Sequence, residues 1–87
     1  MPAELAMPVL LRYKGSVFFF FSNEGAPREP PHVHVRNGRA NAKFWLYPRI
    51  SLADSRGFRA NELQELLRVA RANQQLFAEA WEDYFDE

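Results

Sequence analysis

Asn37-Gly38 separates two runs in which apolar and polar residues alternate, and this feature constrains the fold most strongly. Asn-Gly between alternating runs is the strongest short-range signal for a β-hairpin. A two-residue loop at this point fixes the register. The predicted pairs on one face are Arg36 with Arg39, His34 with Asn41, and His32 with Lys43. Both histidines of the chain therefore share a face with cations and an amide, whereas the other face carries Val33, Val35, Ala40 and Ala42.

Two apolar runs precede this hairpin, at residues 9–13 and 17–22, and the interruption at 14–16 predicts a first hairpin. The second run contains four consecutive phenylalanines and does not alternate, as is typical of a strand in the middle of a sheet. Residues 23–31 predict a loop whose prolines make a rigid, extended approach to the histidine strand. Residues 50–52 favour a short edge strand.

From Asn61 the apolar spacing changes to between three and four, which predicts one long amphipathic helix. Asn61 with Gln64 favours a capping box at its start. The apolar stripe comprises Leu63, Leu67, Ala70, Phe77, Trp81 and Tyr84, widened by Leu66, Ala80 and Phe85. The predicted fold class is α+β, with an antiparallel four- to five-stranded meander sheet and one long C-terminal helix packed on one face. We expect the stripe to contact Val33, Val35, Ala40, Ala42, Phe44 and Leu46.

The composition indicates a single packed domain. The chain has 87 residues, of which 47% are hydrophobic, enough for one core and too few for two. It has no cysteine, which excludes disulfides and thiolate zinc sites and fits a reducing compartment. The N-terminal residues lack a signal-peptide pattern, and no apolar stretch approaches the ~20 residues of a membrane span. We therefore expect a cytoplasmic protein that does not associate with membranes.

The net charge is zero, but the charges are unevenly distributed. Residues 1–57 contain eight Lys/Arg and four Asp/Glu, whereas residues 58–87 contain three and seven. A basic sheet can face an anionic partner, or the two halves can neutralise each other within the fold or between copies. Nucleic-acid-binding domains are usually more basic overall, which favours neutralisation.

The candidate functional face comprises His32, His34, Arg36, Asn41, Lys43 and Trp45, and three interpretations of it stay open. The favoured one is a non-enzymatic interaction module that binds a protein partner or another copy of the chain. The second is nucleic-acid binding, because basic groups interleaved with aromatic residues suit phosphate contact and base stacking. The set His32, His34 and Lys43 would also suit metal-free RNA cleavage, with histidine exchanging a proton and a cation stabilising the developing charge.

The third interpretation is metal binding. His32 and His34 are two residues apart on a strand and can supply two ligands to a divalent metal. Glu24 or Glu29 from the preceding loop would have to supply a third, and Lys43 beside His32 would repel a cation. We expect neither a metal at this histidine pair nor any cofactor.

Several segments together resemble domain-of-unknown-function family 4160, namely residues 7–15, 18–24, 29–35, 42–46, 55–58 and 79–81. The resemblance covers nearly all of residues 7–87, and Pro-Pro-His-x-His at 30–34 is its most specific part. It implies a small bacterial protein without an established activity, often suspected of belonging to a toxin–antitoxin-like gene pair. Family members begin at the equivalent of Met7, so we expect residues 1–6 to be an extension and 7–87 to form a single α+β domain.

Overall fold

The structure is a computed structural model that describes residues 8–21 and 29–85. The expected extension at residues 1–6 lies outside the described residues. Five strands precede two helices: β1 (Val9–Tyr13), β2 (Ser16–Phe19), β3 (His32–Asn37), β4 (Ala40–Trp45), β5 (Ser51–Arg56), α1 (Ala60–Ala72) and α2 (Gln74–Phe85). The strands form one antiparallel sheet in the order β1-β2-β3-β4-β5, which confirms the predicted α+β meander.

The predicted register of the β3–β4 hairpin is wrong by two positions. Its turn consists of Gly38 and Arg39, so that Asn37 pairs with Ala40. Gly38 has a φ of 60° whereas Arg39 has no positive φ, as in a type II′ turn, where only the first central residue is left-handed. The histidine pairs change accordingly, to His34 with Lys43 and His32 with Trp45. Because a shift of two positions preserves the alternation of side chains, the hairpin keeps its predicted faces.

Asn37 contributes its side chain to the neighbouring β1–β2 turn instead of forming the turn of its own hairpin. Its Nδ2 donates to Ser16 Oγ at 3.1 Å and to the carbonyl oxygen of Lys14 at 3.4 Å. Lys14 and Gly15 form that turn with φ values of 49° and 81°, and a type I′ turn requires positive φ at both central residues. The two hairpin turns are therefore joined through Asn37.

The core lies between one face of the sheet and the helices. Phe18 of β2 stacks on Phe77 of α2 with ring centroids 5.5 Å apart. The sheet side of the core also includes Val33, Val35, Ala42, Phe44 and Leu46, as predicted. Ala40 is only partly buried, because it lies next to the turn.

The predicted single helix is in fact two helices separated at Asn73. The Asn73 backbone N–H donates to Ala70 O at 3.1 Å, and its Nδ2 donates to Val69 O at 2.8 Å, so local bonds satisfy the end of α1. Gln74 at the start of α2 donates through Nε2 to the carbonyl of Leu46 at 2.7 Å, which attaches this helix to the loop after β4. The part of the chain that the structure describes contains no helix long and apolar enough to cross a membrane.

The break changes which residues of the stripe are buried. The buried helical residues are Leu66, Val69 and Ala70 in α1, and Phe77, Trp81 and Phe85 in α2. Tyr84, predicted to lie in the stripe, is 42% exposed, whereas Leu66 and Phe85 from its margin are buried. Leu63, Leu67 and Ala80 pack against the core while partly exposed.

Two element boundaries also differ from the prediction. Helix α1 begins at Ala60 with Arg59 as its N-cap, not at Asn61 with Gln64. Glu62 Oε1 accepts the Arg59 backbone N–H at 2.8 Å, so a glutamate three residues into the helix satisfies the N-cap. Strand β5 extends to Arg56, well beyond the predicted 50–52, because the whole segment pairs with β4 at the edge of the sheet.

Candidate functional site

The sheet face that points away from the core, called the outer face below, carries the predicted site residues in rows that cross the strands. One row runs across all five strands, through Arg12, Val17, Arg36, Asn41 and Arg56. Its three arginines, called the arginine row, are all exposed. Because neighbouring strands lie about 4.8 Å apart, arginines two strands apart have backbones about 10 Å apart.

The adjacent row of the outer face is largely aromatic and basic. It contains Phe19, His34, Lys43 and Asp54 on β2 to β5. The Phe19 and His34 rings are stacked with centroids 5.5 Å apart, and the Arg36 guanidinium lies 5.4 Å from the Phe19 centroid. Phe19 is only 3% exposed as a result, so its ring offers little free surface.

His32 lies at the border of the outer face and is completely buried. Its ring centroid is 5.8 Å from that of Trp45 on β4 and 5.1 Å from that of Trp81 on α2. Its Nδ1 lies 2.9 Å from the carbonyl oxygen of Pro30, and since that oxygen can only accept, Nδ1 carries the proton of this hydrogen bond. His32 therefore connects the aromatic residues of the outer face to the core and adds no accessible surface to the site.

Lys43 covers Trp45. The Lys43 Nζ lies 4.6 Å from the centroid of a Trp45 ring and 3.4 Å from Glu29 Oε1. The ammonium thus combines a cation–π contact with an ion pair, and Trp45 is only partly exposed. The remaining predicted residue, Asn41, is exposed within the arginine row.

A shallow groove of about 310 Å³ runs along the outer face near the edge strand β1. Its apolar part includes Val9, which is 46% exposed, and Val17. Arg12 and Arg36 line the same groove. The groove therefore offers apolar contact between two cations that can each bind a carboxylate through two parallel hydrogen bonds.

The described residues provide no metal centre. Within residues 8–21 and 29–85, no three His, Cys, Asp or Glu side chains come together as a metal site would require. Glu29, one of the two predicted third ligands, lies 3.9 Å from His32 Nδ1 but also pairs with Lys43. The other, Glu24, lies outside the described residues.

A separate polar cluster joins the first hairpin to α1. The hydroxyl of Tyr13 and the ammonium of Lys14 both donate to the Glu65 carboxylate. These two hydrogen bonds lower the pKa of Glu65 below its ordinary value, and the bond from Tyr13 has the larger effect. Glu65 in turn raises the pKa of Lys14. The cluster fixes the end of the hairpin against α1 and takes no part in the outer face.

The chain matches one family model over most of its length. The family model of the domain of unknown function DUF4160 matches residues 15–82, from the β1–β2 turn into α2. The chain belongs to the DUF4160 family. No curated protein and no solved structure matches it significantly.

In this DUF4160 domain, two residues of the arginine row were not predicted from the sequence. The prediction included Arg36 but neither Arg12 nor Arg56, because these lie on β1 and β5, far from the histidine hairpin in the chain. The alternation of Asp54 and Arg56 is a usable signal once β5 is recognised as a full strand. Arg12 precedes the matched region, whereas Arg36 and Arg56 lie within it.

Proposed function

We propose that this DUF4160 domain is a non-enzymatic binding module whose outer face holds an acidic segment of a partner protein. The observation that carries the proposal is the arginine row, in which three exposed guanidinium groups cross the whole sheet. In the described part of the chain, none of the three forms an ion pair with a carboxylate of the domain itself. Their charge is therefore available to a ligand.

The spacing of the row suits a helical segment that lies across the strands. Arginines two strands apart are separated by about 10 Å, which is close to the rise of seven residues of α-helix. A helix with acidic residues at i and i+7 and an apolar residue at i+3 or i+4 presents these groups on one side. The acidic residues would pair with Arg12 and Arg36, and the apolar side chain would contact Val9 and Val17 in the groove.

Nucleic acid fits this face less well. Base stacking needs aromatic rings with a free surface, but Phe19 is 3% exposed and Lys43 covers Trp45. The net charge of zero also weakens attraction to a polyanion. RNA cleavage would have to use His34, because His32 is buried away from any substrate.

The family's members are often suspected of belonging to toxin–antitoxin-like gene pairs, and this suggests a source for the acidic segment. We place it on a small protein encoded beside this one, with the complex in the cytoplasm, which agrees with a chain that lacks cysteine. An acidic partner would complement the basic sheet, and specificity would come from the groove beside Val9 and Val17.

The test uses a fluorescent helical peptide with glutamates at i and i+7 and leucine between them, measured by anisotropy. Arg36→Glu should weaken binding at least about tenfold, or about 1.4 kcal/mol, because it replaces an attraction with a repulsion. The matched control is Arg71→Glu, an equal charge change at an exposed position of α1, and it should alter affinity less than about twofold.

Two results would overturn the proposal. One is equal loss in the two variants, which would mean that the peptide responds only to net charge. The other is tight binding of a short oligouridine, with log affinity falling against log salt at a slope of about −2 to −4, in place of peptide binding. That second result would make the outer face a nucleic-acid interface.

A further inference from the structure

We infer that a second copy of this chain can occupy the outer face with the exposed side of its own helix α2. This inference rests on the proposed function, since it names one occupant of the same face. The region of α2 concerned, called the acidic side below, consists of Leu76, Glu79, Glu82 and Asp83.

The acidic side lies opposite the buried side of α2. At 100° per residue, Glu79 and Asp83 point almost directly away from Phe77, Trp81 and Phe85, which face the core. Glu79, Glu82 and Asp83 are all exposed. Leu76, one turn before Glu79, is 48% exposed although it is a large apolar residue. The side thus combines carboxylates with an apolar contact. Its acidic residues stand three and four positions apart, about 5–6 Å along the helix, so they fit one arginine of the row at a time and do not span Arg12 and Arg36 as acidic residues at i and i+7 would.

Among the described residues, the charged side chains of the arginine row and of the acidic side form no ion pair within the molecule. Among the residues that the structure describes, Glu79, Glu82 and Asp83 form no ion pair, and Glu79 accepts only a hydrogen bond from Gln75 at 3.0 Å. Glu82 and Asp83 lie in the last turn of α2, where the helix dipole favours cations, and that turn has no basic residue, so their position is electrostatically unfavourable. Arginines from another copy would supply the missing cations.

The two surfaces cannot satisfy each other within one molecule. The arginine row lies on the side of the sheet away from the core, and the acidic side lies on the side of the helical layer away from the sheet. Contact between copies is therefore heterologous, with the outer face of one molecule on α2 of the next. Such a contact leaves a free surface at each end, so association continues beyond a dimer as concentration rises.

Sedimentation velocity of the full chain at increasing concentration tests the inference. The wild type should form species larger than a dimer in low salt and dissociate at about 0.5 M salt, where charges on an exposed interface are screened. Two double variants separate the surfaces: Arg36→Gln with Arg56→Gln, and Glu79→Gln with Asp83→Asn. Each changes only exposed residues, so far-ultraviolet circular dichroism and the melting temperature should stay close to those of the wild type.

Each double variant alone should self-associate at least about tenfold more weakly than the wild type, because one of its two surfaces is neutralised. An equimolar mixture should form a 1:1 complex and nothing larger, since only the acidic side of the first variant and the outer face of the second remain. A monomeric wild type in low salt, or a mixture that does not associate, would overturn the inference.

The acidic peptide keeps this inference separable from the proposed function. The variant with Glu79→Gln and Asp83→Asn has an intact outer face that no second copy occupies, so it should bind the peptide at least as tightly as the wild type does. Peptide binding without self-association would reject only the second copy as occupant. Failure of both the wild type and this variant to bind the peptide would reject the proposed function itself.

Discussion

Replacing Ala42 with Asp should remove most or all of the stability of the domain, whereas the same replacement at the adjacent Asn41 should leave it fully folded. Ala42 is 3% exposed and points into the core, opposite Val35 of β3. Asn41 is exposed on the outer face, directly between Arg36 and Arg56 on the neighbouring strands. The two substitutions introduce the same carboxyl group one residue apart in β4, so their comparison reports which face receives it.

Two effects should lower the free energy of unfolding of the Ala42→Asp variant. A buried carboxyl avoids its charge by binding a proton, and holding it protonated near neutral pH costs roughly 4 kcal/mol. Fitting a larger side chain into the packed core adds about 1–3 kcal/mol. The total of roughly 5–7 kcal/mol compares with a whole stability of about 4–13 kcal/mol for a domain of this length. At Asn41, each new exposed pair with an arginine should add only about 0.2–1 kcal/mol of stability.

Urea denaturation followed by circular dichroism measures both effects. The midpoint of Asn41→Asp should equal or exceed that of the wild type, and Ala42→Asp should show a much lower midpoint or no folded baseline. Because burial raises the pKa of the introduced carboxyl in the folded state, the deficit of Ala42→Asp should shrink as the pH falls. Equal midpoints for the two variants would refute the assignment of the sheet faces.

Three other outcomes are expected. Phe77→Ala should lower the free energy of unfolding by about 3–5 kcal/mol, because Phe77 is fully buried. Leu76→Ala should change it by less than about 0.5 kcal/mol, because Leu76 is 48% exposed. Equal losses for the two variants in urea denaturation would contradict this. The hydrogen bond from Tyr13 lowers the pKa of Glu65, so it contributes stability above the ordinary carboxyl pKa that is lost as pH falls through the lowered value. Glu65→Gln should remove this part of the pH dependence, and parallel curves of unfolding free energy against pH would argue against it. Zinc should leave the melting temperature unchanged, and an increase that disappears in His34→Ala would reinstate a metal site.

The faces of the β3–β4 hairpin follow from alternation along each strand, but its turn does not. Alternation predicts that Val33 and Val35 are buried, and both are. The Asn37-Gly38 signal points to the wrong turn because Asn37 bonds to Ser16 and the Lys14 carbonyl, on a hairpin about twenty residues away. A contact of that kind is not visible in a local sequence pattern.

In the helical region too, the local sequence pattern predicts the type of structure, and contacts with distant residues decide its details. The spacing of apolar residues from Leu63 to Phe85 predicts helical structure on one side of the sheet, and the structure has it. The break at Asn73 is not predicted, since Gln74 begins α2 by bonding to Leu46, which is 28 positions earlier in the chain. Folding brings that carbonyl within reach, and sequence periodicity alone reads Gln74 as a polar interruption of one helix.

The candidate site depends most on packing between distant segments. Local patterns, which join residues two to four positions apart, were sufficient for the order of the strands, the two faces of the central hairpin and the basic character of one of them. The arginine row needs strand registers that align Arg12, Arg36 and Arg56 across the sheet. The burial of His32 needs Trp81, which reaches it from the far end of the chain on α2. Neither arrangement is encoded in spacing, because each depends on which segments come into contact when the chain folds.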